Sequence, residues 1–233
     1  MPLLSIVLPC YNPPRDWEQR VLSAYQEICA RLYHLPAVIV VSDGSDATIE
    51  PKAIDFLKAN IPDFSFSTYP ENQGKGYAVR YGVEKTASEF VIYTDIDFPY
   101  TVDSFVDIWE QLQDGNDIVA GIKDGAYYKN VPKIRVRISK FLRRIIGFFF
   151  SIPITDTQCG LKGFNVRGKQ IYLQTTINRY LADLEFIYLA FRSKDKMKIV
   201  AQPVSLREGV IFRKMNWRVL VSEGWNFVKL LSK

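Results

Sequence analysis

The chain has little of what many catalytic centres are built from. Of its 233 residues one is histidine, His34, and three are cysteine: Cys10, Cys29 and Cys159. With a single histidine, a Ser-His-Asp triad, a histidine-rich zinc site or a histidine base would have to rest on Leu32-Tyr33-His34-Leu35-Pro36, which reads as the frayed end of a helix. An odd number of cysteines at unrelated spacings suggests neither a disulfide framework nor a cysteine-rich zinc site, and fits a reducing compartment. No run of about 18 apolar residues free of charge occurs, so no transmembrane helix is expected. The apolar run Leu3 to Leu8, bracketed by Pro2 and Pro9, is too short for the core of a signal peptide and reads as a strand. Carboxylates and cations must carry any reaction.

What is present fits one globular unit. With 48% hydrophobic and 24% charged residues, the chain can bury one substantial core, and a single domain over 1–233 is expected. Runs rich in β-branched and aromatic residues at Ser5 to Leu8, Ala37 to Val41, Phe64 to Thr68, Phe90 to Thr94 and Asp117 to Gly121 read as strands. Between them lie helical periods. Trp17, Val21, Ala24, Tyr25, Ile28 and Leu32 share one face after Asp16 as N-cap; Pro51 opens a second helix, and Thr101 precedes Val102, Phe105 and Trp109. Further strands are expected at Gly160 to Asn165 and Lys198 to Val204, with a helix over about Tyr180 to Arg192 between them. Strict alternation predicts an α/β fold with a mostly parallel sheet covered on both faces and ligands at the carboxyl ends of its strands.

Three strand ends would meet at that rim: Pro9-Cys10-Tyr11-Asn12, Ser42-Asp43-Gly44-Ser45 and Asp95-Ile96-Asp97. Asp-Gly-Ser alone is a common turn. Asp95 and Asp97, two residues apart at a strand end, would point to one side and repel unless a cation lies between them. Mg²⁺ or Mn²⁺, held by one or two carboxylates and completed by substrate phosphates and water, is the natural partner; a solvated strand end is the alternative. Glu71-Asn72-Gln73-Gly74-Lys75-Gly76 lacks the third glycine of a dinucleotide fingerprint and the Ser or Thr of a P-loop, but Lys75 and Arg80 could face phosphates.

Together these segments, with Asp156-Thr157-Gln158-Cys159-Gly160-Leu161-Lys162-Gly163-Phe164, resemble glycosyltransferase family 2. The last block most resembles the dolichyl-phosphate glucosyl- and mannosyltransferases and their polyprenyl-phosphate relatives. The resemblance runs in family order from Ser5 to about Lys214 and implies a GT-A (Rossmann-like) fold. It implies that Pro9, Tyr11 and Asp43 hold the nucleoside of a nucleoside diphosphate sugar, and that Asp95 and Asp97 hold ribose, metal and diphosphate. It further implies catalytic roles for Asp156, which opens the acceptor loop, and for Asp183 and Glu185, an acidic pair on the helix after it, and that Arg207, Arg213 and Lys214 close over the diphosphate. Lys75 and Lys123 join the donor site, Lys123 standing where the mannosyl branch often has Arg. Ser42 and Pro13 also depart from the family pattern. Base and sugar stay open, although the Asp156 block fits UDP-glucose better than GDP-mannose.

The implied reaction is inverting, metal-dependent hexose transfer to a polyprenyl or dolichyl phosphate. Transfer to a sugar hydroxyl of a surface polysaccharide, or a scaffold that binds nucleotide without turnover, are the alternatives. Asp156 separates the acceptors: as a general base it would serve a hydroxyl, whereas for an ionised phosphate it would orient the loop, with Arg135 or Lys162 holding the phosphate.

Between Asp124 and Asp156 there is no acid, while Lys129, Lys133, Arg135, Arg137, Lys140, Arg143 and Arg144 carry seven positive charges against a whole-chain balance of +5, so the remainder nets −2. Ile138, Phe141, Leu142, Ile145, Ile146 and Phe149 recur at helical steps, and Phe148-Phe149-Phe150 follows. A basic amphipathic segment at about 133–152 suits the anionic, cytoplasmic face of a membrane as a peripheral anchor. The alternative is a helix packed on the core with a solvated basic rim. Nucleic acid is not expected as a partner, since no DNA- or RNA-binding motif is recognisable. Trp217, Leu220, Val221, Trp225 and Val228 share a helical face that is either a second membrane contact or core.

Overall fold

The computed structural model describes residues 2–45, 49–123, 127–150, 152–210 and 217–231. Strand β1, Leu4–Cys10, is buried at every residue, as a strand covered on both faces must be. It pairs in parallel with β2, Ala37–Asp43, on one side and β4, Phe90–Tyr93, on the other. β3, Phe64–Tyr69, extends the sheet beyond β2. The crossover helices are α1 (Trp17–Leu32), α2 (Pro51–Asn60) and α3 (Lys75–Glu84), with α4 (Val102–Gln113) following β4.

The second half is built differently. β5 (Ile118–Lys123) and β6 (Lys162–Phe164) are antiparallel neighbours, β6 also runs antiparallel to β4, and β7 (Ile199–Val204) returns parallel to β5. The order is β3-β2-β1-β4-β6-β5-β7, a mixed sheet whose β6 wedges between parallel neighbours. A 3₁₀ turn at Tyr127–Asn130 leads into α5, Lys133–Phe150. α6 (Val166–Leu173), α7 (Ala182–Arg192) and α8 (Trp217–Leu231) complete the chain.

Two apolar cores sandwich the sheet. One is made by α1, α2 and α4 through Val21, Ile28, Leu57, Phe105 and Trp109. The other is made by α3, α7 and the end of α5 through Val79, Val83, Phe186, Ile146 and Phe150. Fully burying side chains such as Ile6, Leu8 or Phe164 contributes about 1.5–3 kcal/mol each. His34 is structural: its Nδ1 lies 3.0 Å from Leu32 O and its ring 5.1 Å from that of Trp109.

The starts of α4 and α1 differ. Thr101 accepts from Ser104 N at 3.3 Å, as a capping threonine should. Asp16 precedes α1 but sits in the left-handed region at φ 58° and makes no capping hydrogen bond, so the helix starts there without the expected side-chain cap. Helix α6 was not expected, because the eight residues Val166–Leu173 carry too few apolar positions to show a period; Asn165 caps it, accepting from Arg167 N and Gly168 N.

Candidate active site

The carboxyl ends of β1, β2 and β4 place Tyr11, Asp43 and Asp95 along one rim. Pro9 lies within β1, and Tyr11 just beyond it is 45% exposed.

Asp43 is buried, and neutral donors surround it. Its carboxylate accepts from Tyr69 Oη at 2.9 Å, Asn72 Nδ2 at 2.9 Å, Gln73 N at 2.7 Å and Gly74 N at 2.9 Å. Burial, then the hydrogen bond to Asp43, push the Tyr69 phenol far above its usual range, so it remains a donor. Asp43 thereby fixes the 72–74 turn, whose Gly74 has φ 107° and would drive a Cβ to 2.5 Å from Asn178 O; only glycine fits.

That turn delivers Lys75, the first residue of α3, to Asp95: Lys75 Nζ lies 2.5 Å from Asp95 Oδ1. Burial lowers the ammonium pKa, but Asp95 and Asp183 outweigh it and hold Lys75 charged well above its usual range. Arg80 goes elsewhere. Its guanidinium reaches Asn178 Oδ1 at 2.6 Å and Thr175 Oγ1 at 3.1 Å, so it ties α3 to the 175–178 loop rather than facing a phosphate.

Asp95 and Asp97 do not share a pleated strand face, as the spacing suggested, because β4 stops at Tyr93. A tight turn follows, in which Phe98 N donates to Asp95 O at 3.0 Å and Phe98 takes φ 43°. Arg207 closes over this turn, donating to Phe98 O at 2.8 Å and Asp97 O at 3.2 Å. Asp97, Arg207 and Thr94, whose buried hydroxyl has no partner among the described residues, line a cavity of about 640 Å³ between α1 and α4. Arg213 and Lys214 lie outside the described residues.

Both Asp95 and Asp97 are half-buried, and Gly160 keeps the space before Asp95 open: a Cβ there would stand 2.5 Å from Asp95 Oδ2. Among the described residues no three His, Cys, Asp or Glu side chains cluster as a closed metal cage. A Mg²⁺ or Mn²⁺ that takes one or two carboxylates and completes its shell from phosphates and water needs no such cage, and the donor chemistry of Asp95 and Asp97, two half-buried carboxylates on one turn, suits it.

The acceptor-side residues form two buried networks. Asp156 accepts from Lys123 N at 2.5 Å and from the Arg143 guanidinium, with Lys123 Nζ at 3.6 Å from its other oxygen, so Lys123, expected at the donor site, is paired with Asp156 instead. Arg143 also donates to Lys123 O at 2.7 Å and Tyr128 Oη at 3.0 Å, which binds α5 to the end of β5. Lys162 is fully buried, donating to Cys159 O and lying 3.4 Å from Asp183, which also accepts from Tyr93 Oη. Lys162 is thus an internal strut and cannot hold an acceptor phosphate.

Asp183 and Glu185, both in the first turn of α7, serve different neighbours. Asp183 faces Lys162 and Lys75, whereas Glu185 accepts from Thr176 N at 2.8 Å and Ile177 N at 2.7 Å and anchors the loop against α3. Arg143, expected among the basic residues of the membrane-facing segment, instead turns inward to Asp156, and Tyr100, to which the sequence assigns no role, accepts from Gly160 N at 2.8 Å and so joins the acceptor loop to the Asp95 turn. Arg143 differs from its basic neighbours only in where the fold points it.

Helix α5 packs one face on the core and leaves apolar side chains exposed on another. Ile146 and Phe150 pack into the core, while Ile134, Phe141, Phe148 and Phe149 remain 62, 65, 81 and 52% exposed. Phe227 of α8 packs edge-on to Phe149 and Phe150, and Val228 is exposed. The side chains of Trp217, Leu220, Val221 and Trp225 lie outside the described residues. Among the described residues no helix is long and apolar enough to cross a membrane.

A mostly parallel sheet with acidic turns and a lysine at its carboxyl rim defines an α/β enzyme of the GT-A class. The family described as Glycosyl transferase family 2 matches residues 5–170, more than half of the chain, and the chain belongs to that family. It is 30% identical over 220 residues to a dolichyl-phosphate beta-glucosyltransferase of Drosophila melanogaster, covering 85% of this chain and 65% of that one. To the Homo sapiens protein of the same description it is 27% identical over 206 residues, covering 80% and 62%. The chain thus spans just under two thirds of these relatives. Among solved structures, mannosyl-3-phosphoglycerate synthase from Rubrobacter xylanophilus aligns with TM-score 0.69 at 12% identity, over 99% of this chain and 73% of that one. A mannosyltransferase from Pyrobaculum calidifontis, solved with GDP-Man and Mn²⁺, aligns with TM-score 0.59 at 17% identity, over 100% and 65%. These two establish the fold.

Proposed function

We propose that the chain transfers a hexose from a nucleoside diphosphate sugar to a polyprenyl or dolichyl phosphate, with inversion, at the cytoplasmic face of a membrane to which it attaches peripherally. The observation that carries the acceptor class is the charge at Asp156. One buried carboxylate is met by two cations, Lys123 and Arg143, leaving a net positive charge. Arg143 Nε is buried with no hydrogen-bond partner among the described residues, and a cationic site of this kind suits a phosphate monoester.

The chemistry follows from that placement. An acceptor phosphate oxygen attacks the anomeric carbon while the bond from that carbon to the diphosphate oxygen breaks, and the nucleoside diphosphate leaves. A phosphate monoester, with its second pKa near 6, needs no base at pH 7. Both oxygens of Asp156 face Lys123 and Arg143, so this residue orients the loop and the two cations. Tyr11 and the Asp43-anchored turn hold the nucleoside, and Lys75 and Arg207 face the diphosphate, as do Arg213 and Lys214 by family resemblance. Asp95 and Asp97 would hold Mg²⁺ or Mn²⁺, which when bound offsets charge developing on the leaving diphosphate.

The exposed Ile134, Phe141, Phe148 and Phe149, on the same helix as Arg137, Lys140 and Arg144, support seating at an anionic headgroup layer. The test is label transfer from UDP-glucose and from GDP-mannose to polyprenyl phosphate in anionic and in neutral vesicles, beside a soluble sugar acceptor. Lipid-linked product, formed faster on anionic vesicles and less so at high salt, is expected. Labelled soluble sugar without lipid product would replace this reading with hydroxyl transfer.

A further inference from the structure

We infer that Lys75 is a resident cation that closes the Asp95 site to free divalent metal and yields it only when a diphosphate arrives. The inference rests on the metal reading above. Lys75 Nζ sits 2.5 Å from Asp95 Oδ1, the same carboxylate that the metal would need. Gly160 borders the pair on its other side: a Cβ there would stand 2.5 Å from Asp95 Oδ2 and 3.2 Å from Lys75 Nζ. Ammonium and divalent cation would therefore compete for one carboxylate, and their mutual repulsion at such range disfavours sharing it.

The lysine's place is set by the chain rather than by chance. Asp43 pins the amides of Gln73 and Gly74, Gly74 and Gly76 pack against the 177–179 segment, and Lys75 opens α3 from that fixed point. Its stem is the one flexible part, four methylenes carrying a compact charge. A diphosphate entering the rim offers that charge a stronger anionic partner, so Lys75 can move to it and free Asp95. The same residue then serves as guard before donor binding and as phosphate contact after it. Metal binding becomes coupled to nucleotide binding, and by linkage the nucleotide must gain from metal by the same factor.

Mn²⁺ binding to the full chain, read by electron paramagnetic resonance of the free ion, tests this without turnover. For the wild type, Mn²⁺ alone should bind weakly, and saturating UDP or GDP should tighten it by about 5–150-fold. Lys75→Met should bind Mn²⁺ alone about tenfold or more tighter than the wild type, with correspondingly weaker coupling to nucleotide. Lys75→Arg, which keeps the charge, should behave like the wild type, and melting curves should show all three proteins folded. Equal affinity of wild type and Lys75→Met for Mn²⁺ alone would overturn the guard role while leaving the metal site standing. No Mn²⁺ binding by either protein, with or without nucleotide, would overturn the metal reading and the guard with it.

Discussion

Asp43 and Asp156 are both buried aspartates at the carboxyl rim of one sheet, yet the fold surrounds them with opposite chemistry. Asp43, at the end of β2, is met by neutral donors: two backbone amides, a carboxamide and a phenol. Its negative charge is therefore dispersed but not cancelled. Asp156, beside the end of β5, is met by Lys123 and Arg143, so that region keeps a positive balance. The difference follows from the chain's construction. The first half is a regular series of crossovers whose turns supply amides, whereas the second half inserts an antiparallel strand and a basic helix whose Arg143 joins Lys123 of β5. The first half is suited to hold a nucleoside and the second to attract an anion, which is the polarity a transfer between them needs.

The largest expected effect lies where the two halves meet. Asp97→Asn keeps shape but removes charge from the turn after β4, and turnover should fall by about 10²-fold or more with the melting temperature little changed. Full activity of this variant, or of the wild type in excess chelator, would contradict the metal assignment. Breaking the positive end comes next. Arg143→Met removes one of the two cations at Asp156 and the link from α5 to β5, and should cost about 1.5–3 kcal/mol of stability. Its kinetic mark should be a raised KM for the lipid phosphate with an unchanged KM for the donor.

Asp43→Asn tests the other end. It substitutes a donor where amides already point, costing about 1–3 kcal/mol, and should raise the donor KM while sparing the acceptor's. The smallest effect concerns Asp117, remote from the rim. Burial alone would raise its pKa, but Lys198 N, Asn165 and Arg167 outweigh burial and hold it below the usual value. A depressed folded pKa means that this contribution to stability is complete above the unfolded value of about 3.9 and is lost as pH falls through the lowered one. Melting temperatures of wild type and Asp117→Asn should therefore differ at pH 5 and converge towards pH 2.

The comparison also explains what was legible in the sequence. Strands β1 to β5 and the helices between them show in local periods, because each element buries a face at its own repeat. Tyr11, Asp43, Asp95 and Asp97 could be placed at the rim because parallel strands end on one side. The role of Arg143 could not, since it depends on a partner 13 residues away across an irregular connection and looks like the other basic residues of α5. Lys162 was misread for the same reason: nothing local tells a buried lysine paired with Asp183 from an exposed one. The antiparallel insertion of β6 was equally invisible, because a three-residue strand carries no direction in its pattern.

The central claim, a phosphate acceptor held opposite an amide-lined donor site, is tested most directly by Asp156→Asn. With polyprenyl phosphate in anionic vesicles and a labelled donor, the wild type should form lipid-linked hexose and the variant should retain measurable transfer, because the acceptor needs no base. Loss of transfer by about 10²- to 10⁴-fold in a folded variant would mark Asp156 as a general base and contradict the account, as would a wild type that hydrolyses donor yet never glycosylates the lipid phosphate.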